Sequence, residues 1–306
     1  MKRRPLLPSA KASLRRLIEH LLIPGAGALL PWPLYFRGLS RLASNPRLLF
    51  QECAAASEGY RAIFGITPNS EWLRRYRLTI LIDRADAFIS ATRSDRWLEK
   101  HVTITGAWPT GPFVGITFHF GAGMWSLRHI RSTGLRAAFL SIRFSLASFG
   151  NKLIPYWIAR FRMHEVRQAG NAPVIYTGGS IKSIRKAFEQ GICVIGLIDV
   201  PPHQAEKGRL GMTLFGRPAA LPSGLLEIAA TEDVPATAFL MSVDWRTGKR
   251  TLDIFPVPPG SPSEQIGFMS TLLNDAITEK PEAWHLWLCA HCFLTHQLAT
   301  NALDHN

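Results

Sequence analysis

Five short, uninterrupted apolar runs alternate with helical segments through the middle and C-terminal parts of the chain. They are FVGITF at 113–118, AAFLSI at 137–142, ICVIGLI at 192–198, ATAFLM at 236–241 and TLDIFPV at 251–257. Continuous runs rich in β-branched residues are typical of strands buried on both faces. The pattern predicts an α/β fold with a largely parallel central sheet covered by helices.

Helical patterns surround these runs. Residues 38–100 have amphipathic helical spacing, and IKSIRKAFEQ forms a further helix that Ser180 can cap and Gly191 can end. The expected core stripe of that helix consists of Ile181, Ile184, Ala187 and Phe188. We expect a membrane-associating segment over residues 1–40 and a single α/β domain over residues 41–306.

The N-terminal segment combines an apolar stretch with basic flanks. Residues 21–36, LLIPGAGALLPWPLYF, carry no charge, but this stretch is shorter than the roughly 20 residues of a spanning helix and contains three prolines. It fits an interfacial element with Trp32 in the headgroup boundary. The arginines expected to face lipid phosphates are Arg15, Arg16, Arg37 and Arg41. The alternative is a helix packed on the domain's own core.

The net charge of +13 is unevenly distributed. Residues 1–190 contain 28 Lys and Arg against 10 Asp and Glu, whereas residues 191–306 contain 7 against 12. A basic N-terminal region suits anionic phospholipid, an acidic carrier protein or nucleic acid. Because the sequence has no helix-turn-helix, zinc-finger or RNA-binding signature, we expect no nucleic-acid partner.

Cysteine spacing does not predict a disulfide framework. The four cysteines are Cys53, Cys193, Cys289 and Cys292. The spacing of the last two, with His285 and His296 nearby, suggests zinc, but a second Cys pair is missing and the ligand set is incomplete. We expect neither a metal nor a bound cofactor.

His119 follows the run FVGITF directly, and Gly121 and Gly123 lie between it and a predicted helix MWSLRHI. Ligands of open α/β sheets bind at the carboxyl ends of strands. Small residues there allow backbone amides to approach a substrate oxygen, and an imidazole can take a proton near neutral pH. His119 is therefore a candidate catalytic base. The alternative is a histidine that only binds backbone.

The segment ITFHFGAGMW resembles a His-Phe-Gly-x-Trp-Glu type motif of the late lipid A biosynthesis acyltransferases, the HtrB-like or lysophospholipid-acyltransferase-like family. The resemblance covers about residues 110–295 in the same order. It includes Ser141-Ile142-Arg143, RKAFEQG before ICVIGLID, FGRPAALPSG at 215–224 and PEAWHLWLCAHCF at 281–293. The last segment would be a C-terminal helix.

This resemblance implies transfer of a fatty acyl group from acyl carrier protein or coenzyme A to a hydroxyl of a lipid, glycolipid or other hydrophobic acceptor. It places the protein on the cytoplasmic face of a bacterial inner membrane, as a peripheral or monotopic protein. The sequence departs from the family at Met124, where members have an acid five residues after the histidine. A thioether cannot orient an imidazole, and loss of an orienting carboxylate costs roughly 10⁴ in rate.

Asp199 is the candidate replacement acid, because it ends the run ICVIGLI as His119 ends FVGITF. If these strands are parallel neighbours, both side chains face one crevice. The alternative is that Asp199 braces the following loop, and Glu165 and Glu227 are weaker candidates. In this interpretation the protein is an acyltransferase with a dyad drawn from two strands.

Three further residues are candidates for substrate binding. Arg143 can clamp a phosphate of the donor or acceptor, and Arg217 with Ser223 can line the acyl or acceptor site. Ser223 can equally be an ordinary helix cap. A non-catalytic lipid- or carrier-binding homologue remains an alternative, favoured by Met124. A soluble hydrolase is disfavoured because no Gly-x-Ser-x-Gly motif is present.

Overall fold

A computed structural model describes residues 10–201 and 208–294 of the chain. Nine strands lie in these residues. They are β1 (Val102–Thr105), β2 (Val114–Thr117), β3 (Arg136–Ser141), β4 (Ile175–Tyr176), β5 (Ile192–Leu197), β6 (Arg209–Leu214), β7 (Arg217–Pro222), β8 (Ala236–Val243) and β9 (Arg250–Pro256).

Helices lie before, between and after the strands. The α-helices are α1 (Ala10–Leu17), α2 (Ile23–Leu29), α3 (Trp32–Ala43), α4 (Phe50–Phe64), α5 (Ser70–Thr92), α6 (Asp95–His101), α7 (Met124–Ser132), α8 (Leu153–Gly170), α9 (Ile181–Glu189), α10 (Gly224–Thr231) and α11 (Pro262–Glu279). A π-helical turn (Ile18–Leu22) joins α1 to α2. Short 3₁₀ segments cover Leu146–Phe149, Pro281–Ala283 and His285–Phe293.

Seven strands form one sheet in the order β1-β9-β8-β2-β5-β3-β4. All neighbouring pairs are parallel except β8 and β9, which are antiparallel. All five apolar runs of the sequence became strands of this sheet, and four of the six residues of β5 have less than 3% exposure. The predicted α/β class and largely parallel sheet are therefore confirmed.

The remaining two strands, β6 and β7, form an antiparallel hairpin. A loop over PAALPSG, residues 218–224, is the expectation from its prolines and glycine, and it is wrong because β7 runs to Pro222. Both strands of a two-stranded hairpin are edge strands, and an edge strand tolerates Pro218 and Pro222 although proline has no N–H to donate. Ser223 follows β7 and precedes α10, so the predicted helix start is confirmed.

Local sequence explains where the longer helices begin. The Asn69 side chain accepts a hydrogen bond from the Trp72 N–H at the start of α5. Ser261 and Glu264 form a capping box at the start of α11, with Pro262 in the first turn. The predicted helix after Ser180 is α9, but Ile181 is 51% exposed rather than part of the core stripe.

The N-terminal helices pack against the rest of the molecule. Glu19 is buried and accepts hydrogen bonds from Arg15 Nε at 2.9 Å and from the Leu49 N–H at 3.0 Å. The expected surface position of Trp32 is wrong, because its ring is only 6% exposed and contacts Trp97 edge-on at 5.7 Å. Arg250 lies over the Trp32 ring at 4.2 Å, so a buried cation takes the place expected for lipid.

Leucines of the same helices remain on the surface. They include Leu14, Leu22, Leu29 and Leu34, each more than half exposed. Within the described residues, no helix is both long and apolar enough to cross a bilayer.

Candidate active site

The register of two central strands aligns His119 with Asp199. β2 and β5 are parallel neighbours with Thr117 opposite Leu197, and each candidate residue follows two positions later. Both side chains therefore emerge at the carboxyl edge of the sheet, where ligands of open α/β sheets bind. The predicted proximity is confirmed: His119 Nδ1 lies 2.9 Å from Asp199 Oδ1.

Asp199 is fully buried and surrounded by donors. The His119 backbone N–H lies 2.9 Å from both carboxylate oxygens, and the Trp284 indole N–H donates to Oδ2 at 2.9 Å. An ionised carboxylate only accepts hydrogen bonds, and these donors satisfy both oxygens. The carboxylate is thus held in one orientation.

The environment fixes the tautomer of His119. Because Asp199 accepts at Nδ1, the neutral ring carries its proton there and leaves a lone pair on Nε2. The side chain is 35% exposed. Burial disfavours the imidazolium, but the charge of Asp199 and its hydrogen bonds outweigh this effect and hold the pKa of His119 above its ordinary value.

The C-terminal segment 281–287 encloses this pair. The His285 backbone N–H donates to the His119 carbonyl at 2.8 Å, and its Nε2 lies 2.7 Å from the Gly121 carbonyl. Since a carbonyl only accepts, His285 carries a proton on Nε2. Burial lowers the pKa of His285, which keeps the ring neutral.

The expected C-terminal helix over residues 281–293 is present only as short 3₁₀ segments and not as a regular helix. The segment consists of short 3₁₀ turns, with non-helical backbone at Leu286 and Cys289. Trp284 and Trp287 are fully buried, so tertiary packing of aromatic rings overrides local helical preference here. The irregular path brings the Trp284 indole and the His285 ring to the same site.

A cavity of about 860 Å³ opens from His119 into the space between the sheet and its helices. Its walls are mainly apolar, and Ile116, Leu140, Ile184, Ile195, Leu225 and Phe239 are among them. Methionine at position 124 is buried and belongs to this wall. It supplies apolar surface at the position where the motif that ITFHFGAGMW resembles has an acid.

A second ion pair lines the cavity beside the histidines. Arg162 of α8 binds Asp83 of α5 through two hydrogen bonds of 2.7 and 2.8 Å. Burial raises and Arg162 lowers the pKa of the Asp83 carboxyl, with a net shift downward. The sequence alone gives no sign of this pair, because Arg162 and Asp83 lie 79 residues apart in the chain.

The two glycines after His119 have different roles. Gly121 has φ of 63°, and a Cβ there would lie 1.8 Å from the Met241 carbonyl oxygen, so backbone packing requires glycine. A Cβ on Gly123 would meet nothing within 4 Å, and Gly123 lines the cavity.

Most loop amides after His119 are used internally. Those of Phe120, Gly121 and Ala122 donate to carbonyls of Phe118, Ala283 and Met241. The Ser126 amide likewise donates to the Gly123 carbonyl, so among the described residues the amides of Gly123, Met124 and Trp125 are left as possible donors to a substrate oxygen.

Arg143 lies at the expected edge of the sheet but outside the cavity. It follows β3 by two residues, is exposed, and stacks its guanidinium on the Tyr176 ring at 4.6 Å. Its neighbours Ser141 and Ile142 line the cavity. Arg143 is therefore beside the entrance, and its phosphate-binding role stays a prediction.

The expectation that Arg217 and Ser223 line the substrate site is corrected by their contacts. Arg217 Nη2 donates to the Ile63 carbonyl at 3.1 Å, which braces α4 rather than the cavity. Ser223 is fully buried, and its hydroxyl lies within hydrogen-bond distance of two acceptors, the Gly208 carbonyl at 2.9 Å and the Glu227 carboxylate. Of this region, Pro222, Gly224 and Glu227 line the cavity.

The Cys and His residues of the C-terminal segment do not converge. Cys289 Sγ donates to the Leu286 carbonyl, and Cys292 contacts His291. Residues 10–201 and 208–294 contain no cluster of three metal-binding side chains, and His296 lies outside the described residues. Pro202, His203 and Gln204, which follow the Asp199 strand end, are also outside them.

No protein-family model and no curated protein matches this chain.

Proposed function

We propose that the protein is an acyltransferase that moves a fatty acyl group from a thioester donor to the hydroxyl of a hydrophobic acceptor. The observation that carries this proposal is a His119–Asp199 pair opening into an apolar cavity of about 860 Å³. Ligand sites typically occupy 300–1,000 Å³.

His119 is the general base in this proposal. Its Nε2 takes the proton of the acceptor hydroxyl as that oxygen attacks the thioester carbonyl. The carbonyl oxygen becomes an oxyanion, for which the amides of Gly123, Met124 and Trp125 are the candidate backbone donors. The tetrahedral intermediate then collapses and its carbon–sulfur bond breaks. The departing thiolate takes a proton from His119, and the ester product leaves.

Asp199 stabilises the imidazolium that forms in the first step. Its carboxylate is already held by the Trp284 indole and the His119 amide, so little rearrangement is needed when charge develops. Met124 therefore does not leave His119 without an acid. This argues against the non-catalytic alternative.

The cavity supports an acyl chain as the transferred group. Each buried methylene contributes about 0.8 kcal/mol, so an apolar wall of this extent favours a long chain over a short one. Acyl carrier protein or coenzyme A is the proposed donor, and the basic half of the sequence favours an acidic carrier. No bound cofactor is required for this chemistry.

The proposed location is the cytoplasmic face of a bacterial inner membrane, with a lipid or glycolipid acceptor. The exposed leucines of the first 40 residues and their basic neighbours support contact with an anionic bilayer.

The test compares cells that express the native chain, His119→Ala or His164→Ala in place of the chromosomal copy. His164 is exposed on α8 and is the matched control. We expect mass spectrometry of total lipids to show an acylated product with the native chain and His164→Ala, and its loss with His119→Ala.

The other results separate the alternatives. An acylated product that persists with His119→Ala excludes the proposed base and favours a lipid- or carrier-binding protein. Free fatty acid that depends on His119, without any acylated product, shows that water is the acceptor and that the protein is a hydrolase.

A further inference from the structure

A second cavity, of about 540 Å³, shares no lining residue with the cavity at His119. It is formed by the α2–α3 connection and by the region from the end of α5 to α6. The residues that matter here are Trp32, Arg93, Arg96, Trp97, Lys100 and His101. Because α6 leads into β1, this cavity lies at the opposite edge of the sheet from β4.

The lining of this cavity is basic. Arg93, Arg96 and Lys100 contribute three fixed positive charges, and no described carboxylate lines it. The nearby Asp95 is bound instead by Arg128 and Arg131. A concave surface with one sign of charge concentrates ions of the opposite sign.

Two buried donors in the lining residues lack partners among the described residues. They are Nε of Arg93 and Nε1 of Trp32, the latter on a side chain only 6% exposed. Arg93 Nη2 donates to the Leu30 carbonyl at 2.8 Å, which fixes the guanidinium against the α2–α3 connection. The Arg93 guanidinium is therefore held at the cavity wall, where its positive charge acts on an anion inside the cavity.

His101 is a titratable residue of this cavity, and its pKa responds to the surrounding charges. Its ring stacks on Trp97 at 4.3 Å, and Nδ1 bonds to the Trp97 carbonyl at 3.0 Å. Burial first, and then the positive charges of Arg250, Lys100 and Lys249, lower the pKa of His101, with only the Trp97 carbonyl acting in the other direction.

Exposed leucines adjoin the cavity. Leu29, at 84% exposure, and Leu30 precede the lining Pro31, and Leu34 follows the lining Pro33. Basic residues next to solvent-facing leucines match the boundary between phosphate and acyl chain in a bilayer. A soluble phosphate compound has no acyl chain that would contact these leucines.

We propose that this cavity binds the phosphate group of an anionic phospholipid, while Leu29, Leu30 and Leu34 enter the leaflet beside it. This site shares with the proposed function only the membrane location. It uses none of the residues around His119, so either proposal can fail alone.

The test measures binding of the full chain to phosphatidylcholine vesicles that contain about one third phosphatidylglycerol. Arg96→Gln with Lys100→Gln removes two charges from the cavity. The control, Lys182→Gln with Lys186→Gln, removes two exposed charges from α9, which packs beside β5. At about fivefold per charge, we expect the cavity variant to bind about 30-fold more weakly and the control to change little.

A second measurement reads the cavity directly. We expect titration with inorganic phosphate, but not with chloride at equal ionic strength, to raise the pKa of His101 in histidine NMR spectra. Thermal unfolding of each variant distinguishes loss of binding from loss of fold.

Equal loss of vesicle binding by both double variants would show nonspecific attraction and overturn the proposal. So would a His101 pKa that phosphate does not move. A phosphate-dependent His101 pKa with vesicle binding unaffected by Arg96→Gln and Lys100→Gln would assign the cavity to a soluble phosphate compound and overturn the lipid assignment.

Discussion

Two buried acid–base pairs in this molecule have opposite surroundings. Asp86 of α5 binds Arg250 of β9 through two guanidinium nitrogens, and both side chains are fully buried. The Gly248 carbonyl and the faces of Trp32 and Trp97 occupy the rest of the guanidinium. Asp199 is buried just as completely, but its partner His119 is 35% exposed and faces a cavity.

The difference shows what each pair can do. Each of the three Arg250 nitrogens donates a hydrogen bond within the protein, and the side chain is fully buried, so a substrate cannot reach it. The Asp86–Arg250 pair instead joins α5 to the sheet. His119 keeps Nε2 without a protein partner in the described part of the chain. The Asp199 carboxylate is held in one orientation, while Nε2 of His119 is accessible from the cavity. Proton transfer to His119 needs this arrangement.

The strongest test of the comparison is substitution of Asp199, the buried acid of the His119–Asp199 pair, which we call the open pair. In Asp199→Asn, the amide nitrogen faces Nδ1 and favours the wrong histidine tautomer. We expect acyl transfer to fall about 10⁴-fold while the thermal unfolding temperature changes little. Asp275→Asn, an exposed change on α11, is the control. Activity within tenfold of native would remove Asp199 from the mechanism.

Breaking the Asp86–Arg250 pair, which we call the closed pair, should lower folding stability rather than acyl-transfer activity. Arg250→Met leaves Asp86 buried without its partner, and we expect a loss of about 3–5 kcal/mol in the free energy of unfolding by urea. Activity per folded molecule should persist. Arg246→Met, at an exposed site on the turn between β8 and β9, is the matched control.

If Arg250→Met proves insoluble, Arg250→Met combined with Asp86→Leu removes the orphaned charge and should recover stability. A double variant no more stable than the single one would mean that the pair does not act as described.

Trp284 offers a finer test of the open pair. Trp284→Phe keeps the ring but removes the donor to Asp199 Oδ2, a bond to a charged group of about 1.5–3 kcal/mol. The less neutralised carboxylate attracts imidazolium more strongly, so the pKa of His119 should rise and activity should fall about tenfold.

The control is Trp287→Phe, which removes an indole bond to the Pro281 carbonyl instead. Equal effects of both substitutions on the pKa of His119 would reduce Trp284 to a packing residue.

The smallest expected effect is a pH dependence. His119 must be neutral to act as base, and its raised pKa places the acid limb of kcat/KM above pH 6.5. The same shift stabilises the folded state below the unfolded pKa, and this contribution is lost as pH rises through the folded pKa. This stability contribution is measured by comparing the urea unfolding of native and His119→Ala protein from below to above the pKa of His119. In the activity profile, an acid limb of kcat/KM at or below pH 6.5 contradicts the assignment of His119 as the base.

Sequence reasoning succeeded where a signal was local. Continuous apolar runs gave the strands, and two polar residues placed after such runs gave the His119–Asp199 contact. It failed where packing overrode local preference. Trp32 looked interfacial but lies under Arg250, and residues 281–293 looked helical but form kinked turns.

The chain by itself determined the class of fold and two chemical groups at its strand ends, because hydrophobic periodicity and strand termini are properties of neighbouring residues. Tertiary structure decided that β2 and β5 are adjacent in register, that Trp284 donates to Asp199 from 85 residues away, and that Arg162 pairs with Asp83. These contacts depend on which distant surfaces are buried together, and no local pattern records that choice. His119 and Asp199 were present in the sequence, but only the sheet made them a pair.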